Sequence, residues 1–275
     1  MKKLKLIIVC LFLPMLLLAK SNDHVENFDL KYYHPEKFGL KDLVFEVRIS
    51  NLKEMLEKRF TFGKLEDVFF RVYWIFPGKY EIEVHGLPRG FNQVKQELTG
   101  LIHARMDYVI PQRLDPKLRS YKLSKMKKKG GRGVSLKGID LTQTRPVNEI
   151  HLSFDKKGKL TTFKSFSPAG VKTSKMEMNV KEWSHNKWIA DSISVKMIQG
   201  VQVTTIDNQI VYSPINGIGF PKEVNVSTTH ELTLGNDNKG KSNKRKISSS
   251  LSFTNYEVNT GKAQRYLTKL MGARK

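Results

Sequence analysis

The chain has 275 residues, 39% of them hydrophobic, and carries 48 Lys and Arg against 26 Asp and Glu, a formal charge of +22. A chain of that length can bury a core without disulfides, and a lone cysteine, Cys10, rules them out; lost with a leader, it takes thiolate metal ligands and a Cys nucleophile with it. The charge implies anionic partners, whether nucleic acid, lipid headgroups, lipopolysaccharide or cell-wall polymers, or else only a solvated basic face.

Lys2, Lys3 and Lys5 precede the apolar run LIIVCLFLPMLLLA. This is the pattern of a signal peptide over residues 1–19, cut after Ala19, with an uncleaved anchor as the rival reading. It is short for a spanning helix and is interrupted by Pro14. Cys10 follows Ile8 and Val9 rather than small residues, which speaks against a lipidated cysteine. The mature protein is expected in the periplasm.

After a polar lead-in, the chain alternates as strands do. Asp42 to Ser50 sets Leu43, Phe45, Val47 and Ile49 on one side, and Phe69 to Phe76 with Tyr80 to Leu87 reads as a hairpin around Pro77-Gly78. In the second of these strands Glu81, Glu83 and His85 face the other way, predicting a sheet with one wet face. From Phe91 to Ile110 the apolar residues Val94, Leu98, Leu101, Ile102, Met106 and Val109 take a helical period, which Pro111 ends. Further strands are predicted at Leu118 to Met126, Val147 to Phe154 and Lys159 to Phe166. Others follow at Lys175 to Trp183, Trp188 to Gln199, Val201 to Tyr212, Glu223 to Leu234 and Lys246 to Val258. Ser213 to Gly217 reads as a connection, and Thr260-Gly261 opens a short helix striped with Ala263, Tyr266, Leu267 and Leu270.

The expected class is α+β, mostly antiparallel β. Residues 20–275 would form a single domain: a curved, half-open β-barrel with one mid-chain amphipathic helix as lid and a short C-terminal helix. Its inner side would be only partly filled, and a monomer is favoured.

Gly235 to Ser242 (GNDNKGKS) matches G-x-x-x-x-G-K-[ST], but charged and strand-like sequence follows where a helix should begin, so no nucleotide is expected there. A basic hairpin tip accounts for it better. Together with a second basic segment it gives Lys127, Lys128, Lys129, Arg132, Lys241, Lys244, Arg245 and Lys246 as contacts for an anionic surface. The second segment lacks the aromatic residues that base stacking uses, so nucleic acid is not expected. Histidines are scattered singly, and no catalytic motif, metal set or cofactor site is read. A hydrolase with site residues gathered by the fold is the enzymatic alternative. The apolar supply is richer: Phe70, Val72, Trp74, Phe76, Tyr80, Ile82, Val84, Leu98, Leu101, Ile102, Trp183, Trp188 and Phe220 each suit an ordinary core, and as a set suit the lining of an acyl-chain cavity.

The stretch VYWIFPGKYEIEVHGLP (Val72 to Pro88) resembles the strand, Pro-x-Lys turn and strand of bacterial LolA-like lipoprotein-sorting proteins through Trp74, Phe76, Pro77, Lys79, Tyr80, Ile82 and Val84. Gly39 to Val47 resembles their first strand. The resemblance implies an unclosed barrel with a helical lid, a hydrophobic cavity for lipid or lipoprotein acyl chains, and no catalytic residues. The greater length after Lys175 and the two basic segments depart from that pattern. An envelope adhesion module acting through its basic loops is the alternative.

Overall fold

The computed structural model describes residues 23–60, 65–127, 133–232 and 243–273. The leader, Lys128, Lys129, Arg132, Lys241 and the stretch Gly235 to Ser242 lie outside the described residues.

A helix at residues 23–31, α1, replaces the expected polar lead-in. Its Val25 and Phe28 point into the protein, so about two and a half turns with apolar residues three apart were enough to hold it. Next come β1 (Asp42–Ile49), α2 (Leu52–Arg59), and the hairpin of β2 (Phe69–Ile75) and β3 (Lys79–His85). The expected lid helix is broken into α3 (Asn92–His103) and α4 (Met106–Val109). At the break the Arg105 N–H bonds back to Ile102 O at 2.9 Å, a tighter turn than an α-helix makes. A further short helix, α5 (Leu114–Leu118), precedes the strand read at Leu118 to Met126 and shares only Leu118 with it.

The remaining strands are β4 (Tyr121–Lys125), β5 (Val134–Asp140), β6 (Glu149–Phe154), β7 (Leu160–Ser167), β8 (Gly170–Val180), β9 (Trp188–Gln199), β10 (Gln202–Ile215), β11 (Ile218–Leu232) and β12 (Asn243–Val258), followed by α6 (Lys262–Ala273). Strand β5 is not foreseen in the sequence. The connection expected at Ser213 to Gly217 shrinks to Asn216-Gly217, with φ of 51° and 76°. Positive φ at both positions makes the tight hairpin turn that Asn-Gly favours, so β10 and β11 run right up to it.

All twelve strands form one antiparallel sheet in the order β3-β2-β1-β12-β11-β10-β9-β8-β7-β6-β5-β4, with unpaired edges at β3 and β4. It is a curved, half-open barrel with helices packed on its inner face. Phe45, Phe70, Val72, Phe220 and Val224 from β1, β2 and β11 pack with Val94, Leu98, Ile102 and Met106 of α3 and α4 in one core. Leu136, Leu152, Phe154 and Trp188 pack with α1 and α5 in a second.

The face opposite the first core is not wet at β1 and β2. Ala263 and Leu267 of α6 bury Val44 and Tyr73 there, and the Tyr73 and Tyr266 rings stack at 3.8 Å. Asp42 holds the start of α6 by accepting the Gln264 N–H at 2.7 Å.

Away from that end the sheet continues with no covering layer among the described residues. The β1 register stops at Ile49, opposite Leu251, so residues 243–249 of β12 pair only with β11. On the outer face the cross-strand register lines up Lys246, Thr229, Thr205, Lys196, Thr173, Lys164, His151, Lys137 and Ser124 in a single row from β12 to β4. One step nearer the strand ends lie Val203, Ile198, Val171 and Phe166.

Candidate functional site

The inner face of the uncovered half supplies the candidate site. Its register aligns Phe163 (β7), Ser174 (β8), Val195 (β9), Ile206 (β10), Thr228 (β11) and Ile247 (β12). Phe163, Val195 and Ile206 are half-buried, and Ile247 is 42% exposed. On the core side this row is backed by Met176, Ile193, Asn208 and Val226; the Asn208 amide is buried and donates to Ile193 O at 3.0 Å. On the strand-end side it is bounded by Lys172, Met197, Thr204, His230 and Arg245. Thr204 Oγ1 and His230 Nδ1 stand 3.1 Å apart.

On the concave side of the sheet this makes a groove whose floor is apolar at four of its six positions, Ser174 and Thr228 being the exceptions, with a basic lip. From β7 to β12 it crosses five inter-strand steps, about 24 Å at the usual spacing. Removing its floor from water would contribute about 25 cal/mol per Å² covered. The lip supplies cations for an anionic head.

The residues expected to line a cavity fall elsewhere. Phe70, Val72, Trp74, Ile82, Leu98, Ile102 and Phe220 are buried in the first core, with Tyr80 and Val84 packed against it. α3 and α4 interdigitate with them, and what remains beside Trp74, Tyr80, Met106 and Ile110 is a cleft of about 150 Å³. Phe76 and Leu101 are 57% and 42% exposed: Phe76 follows the end of β2 rather than extending its inner row, and Leu101 faces outward on α3. Trp188 belongs to the second core, and Trp183 packs edge-on against Tyr33 over Gly219. The groove residues were missed because alternation marks an apolar face without showing which stretch of it a helix covers.

The basic segments also separate. Turns of an antiparallel meander alternate between its two ends, so Lys127 leaves β4 at one end while β12 starts at the other. Lys244, Arg245 and Lys246 are strand residues of β12 rather than a loop tip, and Arg245 lies on the inner face while its neighbours lie on the outer. Placing such residues on a stretch paired on one side only also guards it against pairing with another chain.

Buried titratable groups serve the fold. Asp29 accepts the N–H groups of Leu114 and Asp115 at 2.7 and 2.8 Å and so caps α5. His34 is fully buried, with Nδ1 3.0 Å from Pro111 O, and burial lowers its pKa. Burial raises the Tyr212 and Tyr256 hydroxyls, and pushes Tyr33 up to about 12. On the outer face, Lys137 bonds to Glu149 at 2.7 Å and lowers its pKa; His151 sits 2.6 Å from the same carboxylate. Among the described residues no group of three or more His, Cys, Asp or Glu could hold a metal ion.

No family model matches the sequence, and no curated protein does. Among solved structures the chain is similar to a Vibrio parahaemolyticus domain described as an outer membrane lipoprotein-sorting protein domain. The match has a TM-score of 0.34 and 10% identity, and covers 89% of this chain and 94% of that one. It is a likeness of outline.

Proposed function

We propose that the protein is a non-enzymatic carrier in the bacterial envelope that holds a lipid or lipoprotein acyl chain in the inner groove. The observation that carries this reading is the row of half-buried Phe163, Val195 and Ile206 with exposed Ile247, lipped by Lys172 and Arg245. An apolar floor about 24 Å long exceeds the roughly 15 Å depth of one leaflet's hydrocarbon. It can therefore lay an extended chain flat while the lip pairs with a carboxylate or phosphate. The LolA-like pattern of Val72 to Pro88 and the leader-like residues 1–19 agree with such a role and place.

Native mass spectrometry of protein purified from its own envelope, with displacement of a fluorescent fatty acid in solution, tests the reading. Bound lipid, and competition by unlabelled fatty acid that weakens in Val195→Ser/Ile206→Ser, is the expected result. Lipid-free protein that binds no probe overturns it.

A further inference from the structure

The outer row is the feature that the groove does not use. Lysine on a stretch with one open side prevents wrong pairing, which accounts for Lys246, where β12 has run past the end of β1. It does not account for Lys164 and Lys196, which stand on β7 and β9 in the middle of the sheet. Neither is within ion-pair distance of a carboxylate among the described residues; the Lys164 ammonium lies over the Phe166 ring at 4.8 Å.

Next to these cations, at the strand ends, outward-facing aliphatic residues stand in water. Ile198 is 40% exposed, Val201 in the adjoining β9–β10 turn 59%, and Leu141 beyond the end of β5 68%. A soluble polyanion satisfies lysines but gains nothing from aliphatic neighbours. A bilayer interface uses both, since headgroup phosphates meet the ammonium groups while the side chains at the tip leave water.

We propose that this end of the outer face, with Lys164, Lys196 and Lys246 behind Phe166, Ile198 and Val201, docks the protein on an anionic membrane surface. The inference stands on the outer face and does not depend on what the groove binds. The basic lip opens at the same end of the sheet, so docking there would bring the groove mouth to the headgroup layer.

Co-sedimentation with vesicles of phosphatidylcholine mixed with phosphatidylglycerol, against pure phosphatidylcholine, tests it. Wild type partitions onto the mixed vesicles. Lys164→Glu/Lys196→Glu/Lys246→Glu loses that partitioning, by on the order of fivefold or more per lysine. Ile198→Ser/Val201→Ser weakens vesicle binding at unchanged charge yet leaves retention on dextran sulfate as in wild type. Vesicle binding unchanged in either variant overturns the proposal, and unchanged binding in the aliphatic variant alone identifies a polyelectrolyte face. Far-UV circular dichroism confirms folding; should the double variant melt early, Val201→Ser, in the turn, carries the same test.

Discussion

Two halves of one sheet are built from the same alternating strands and end up in opposite circumstances. Where β1 and β2 lie between α3 and α4 on one face and α6 on the other, both faces are covered and even Glu46 is buried, bonded to Arg71 and Asn255. Burial alone would raise the Glu46 pKa, but those bonds outweigh it and the pKa falls. Beyond Ile49, β11 and β12 run on with no covering layer among the described residues, and their side chains are half-buried or exposed on the inner face and polar on the outer. The difference shows that the covered half pays for folding, leaving the other free to keep apolar surface in water.

That contrast breaks most visibly in the covered half. Phe220→Ala, at a fully buried ring stacked on Tyr256, is expected to cost about 3–5 kcal/mol in denaturant unfolding. Gly219→Ala comes next: a Cβ would stand 1.9 Å from the Trp183 ring, so overpacking should cost about 1–3 kcal/mol.

Acid should loosen the same half through His34. Its folded pKa is lowered from 6.5 by burial, so the unfolded chain binds the proton more readily. Stability is then fully present above 6.5 and falls as pH drops from there toward the folded pKa. A melting series between neutral and acidic pH checks this, and His34→Gln should flatten that part of the profile.

The smallest stability effect sharpens the comparison instead. Val195→Ser/Ile206→Ser should change unfolding by about 1 kcal/mol or less, as for partly exposed positions. Fatty-acid affinity should fall about tenfold, by the loss of apolar contact. A large loss of stability would show the groove to be core after all.

The strands from β6 to β12 were legible because their alternation is long and their turns are marked, as at Asp155 to Gly158. β5 was not: Gly138 breaks its pattern, and the reason for that glycine is remote in sequence. A Cβ there would meet Ile150 and Leu123 at 2.7 and 3.0 Å. The aromatic hairpin was correctly placed in the sheet, but the sequence held no sign that α3 and α4 would fill the space over it. Likewise, Lys164 and Lys196 lie far apart in the chain and become neighbours on one row only through the register of β7, β8 and β9.

The pairing of β1 with β12 has a consequence for how the chain is made. From β4 to β11 every strand finds its partners next to it in sequence, and can add to the sheet as it is synthesised. β1, with the β2–β3 hairpin beside it, gains its second neighbour only once β12 has left the ribosome, because Val47 must meet Phe253. Until then an apolar strand waits with an open edge, and closing so long a loop is slow. The segment from β12 through α6 thus acts as the final clasp, and a chain truncated before it would leave its first strand seeking a partner in other molecules.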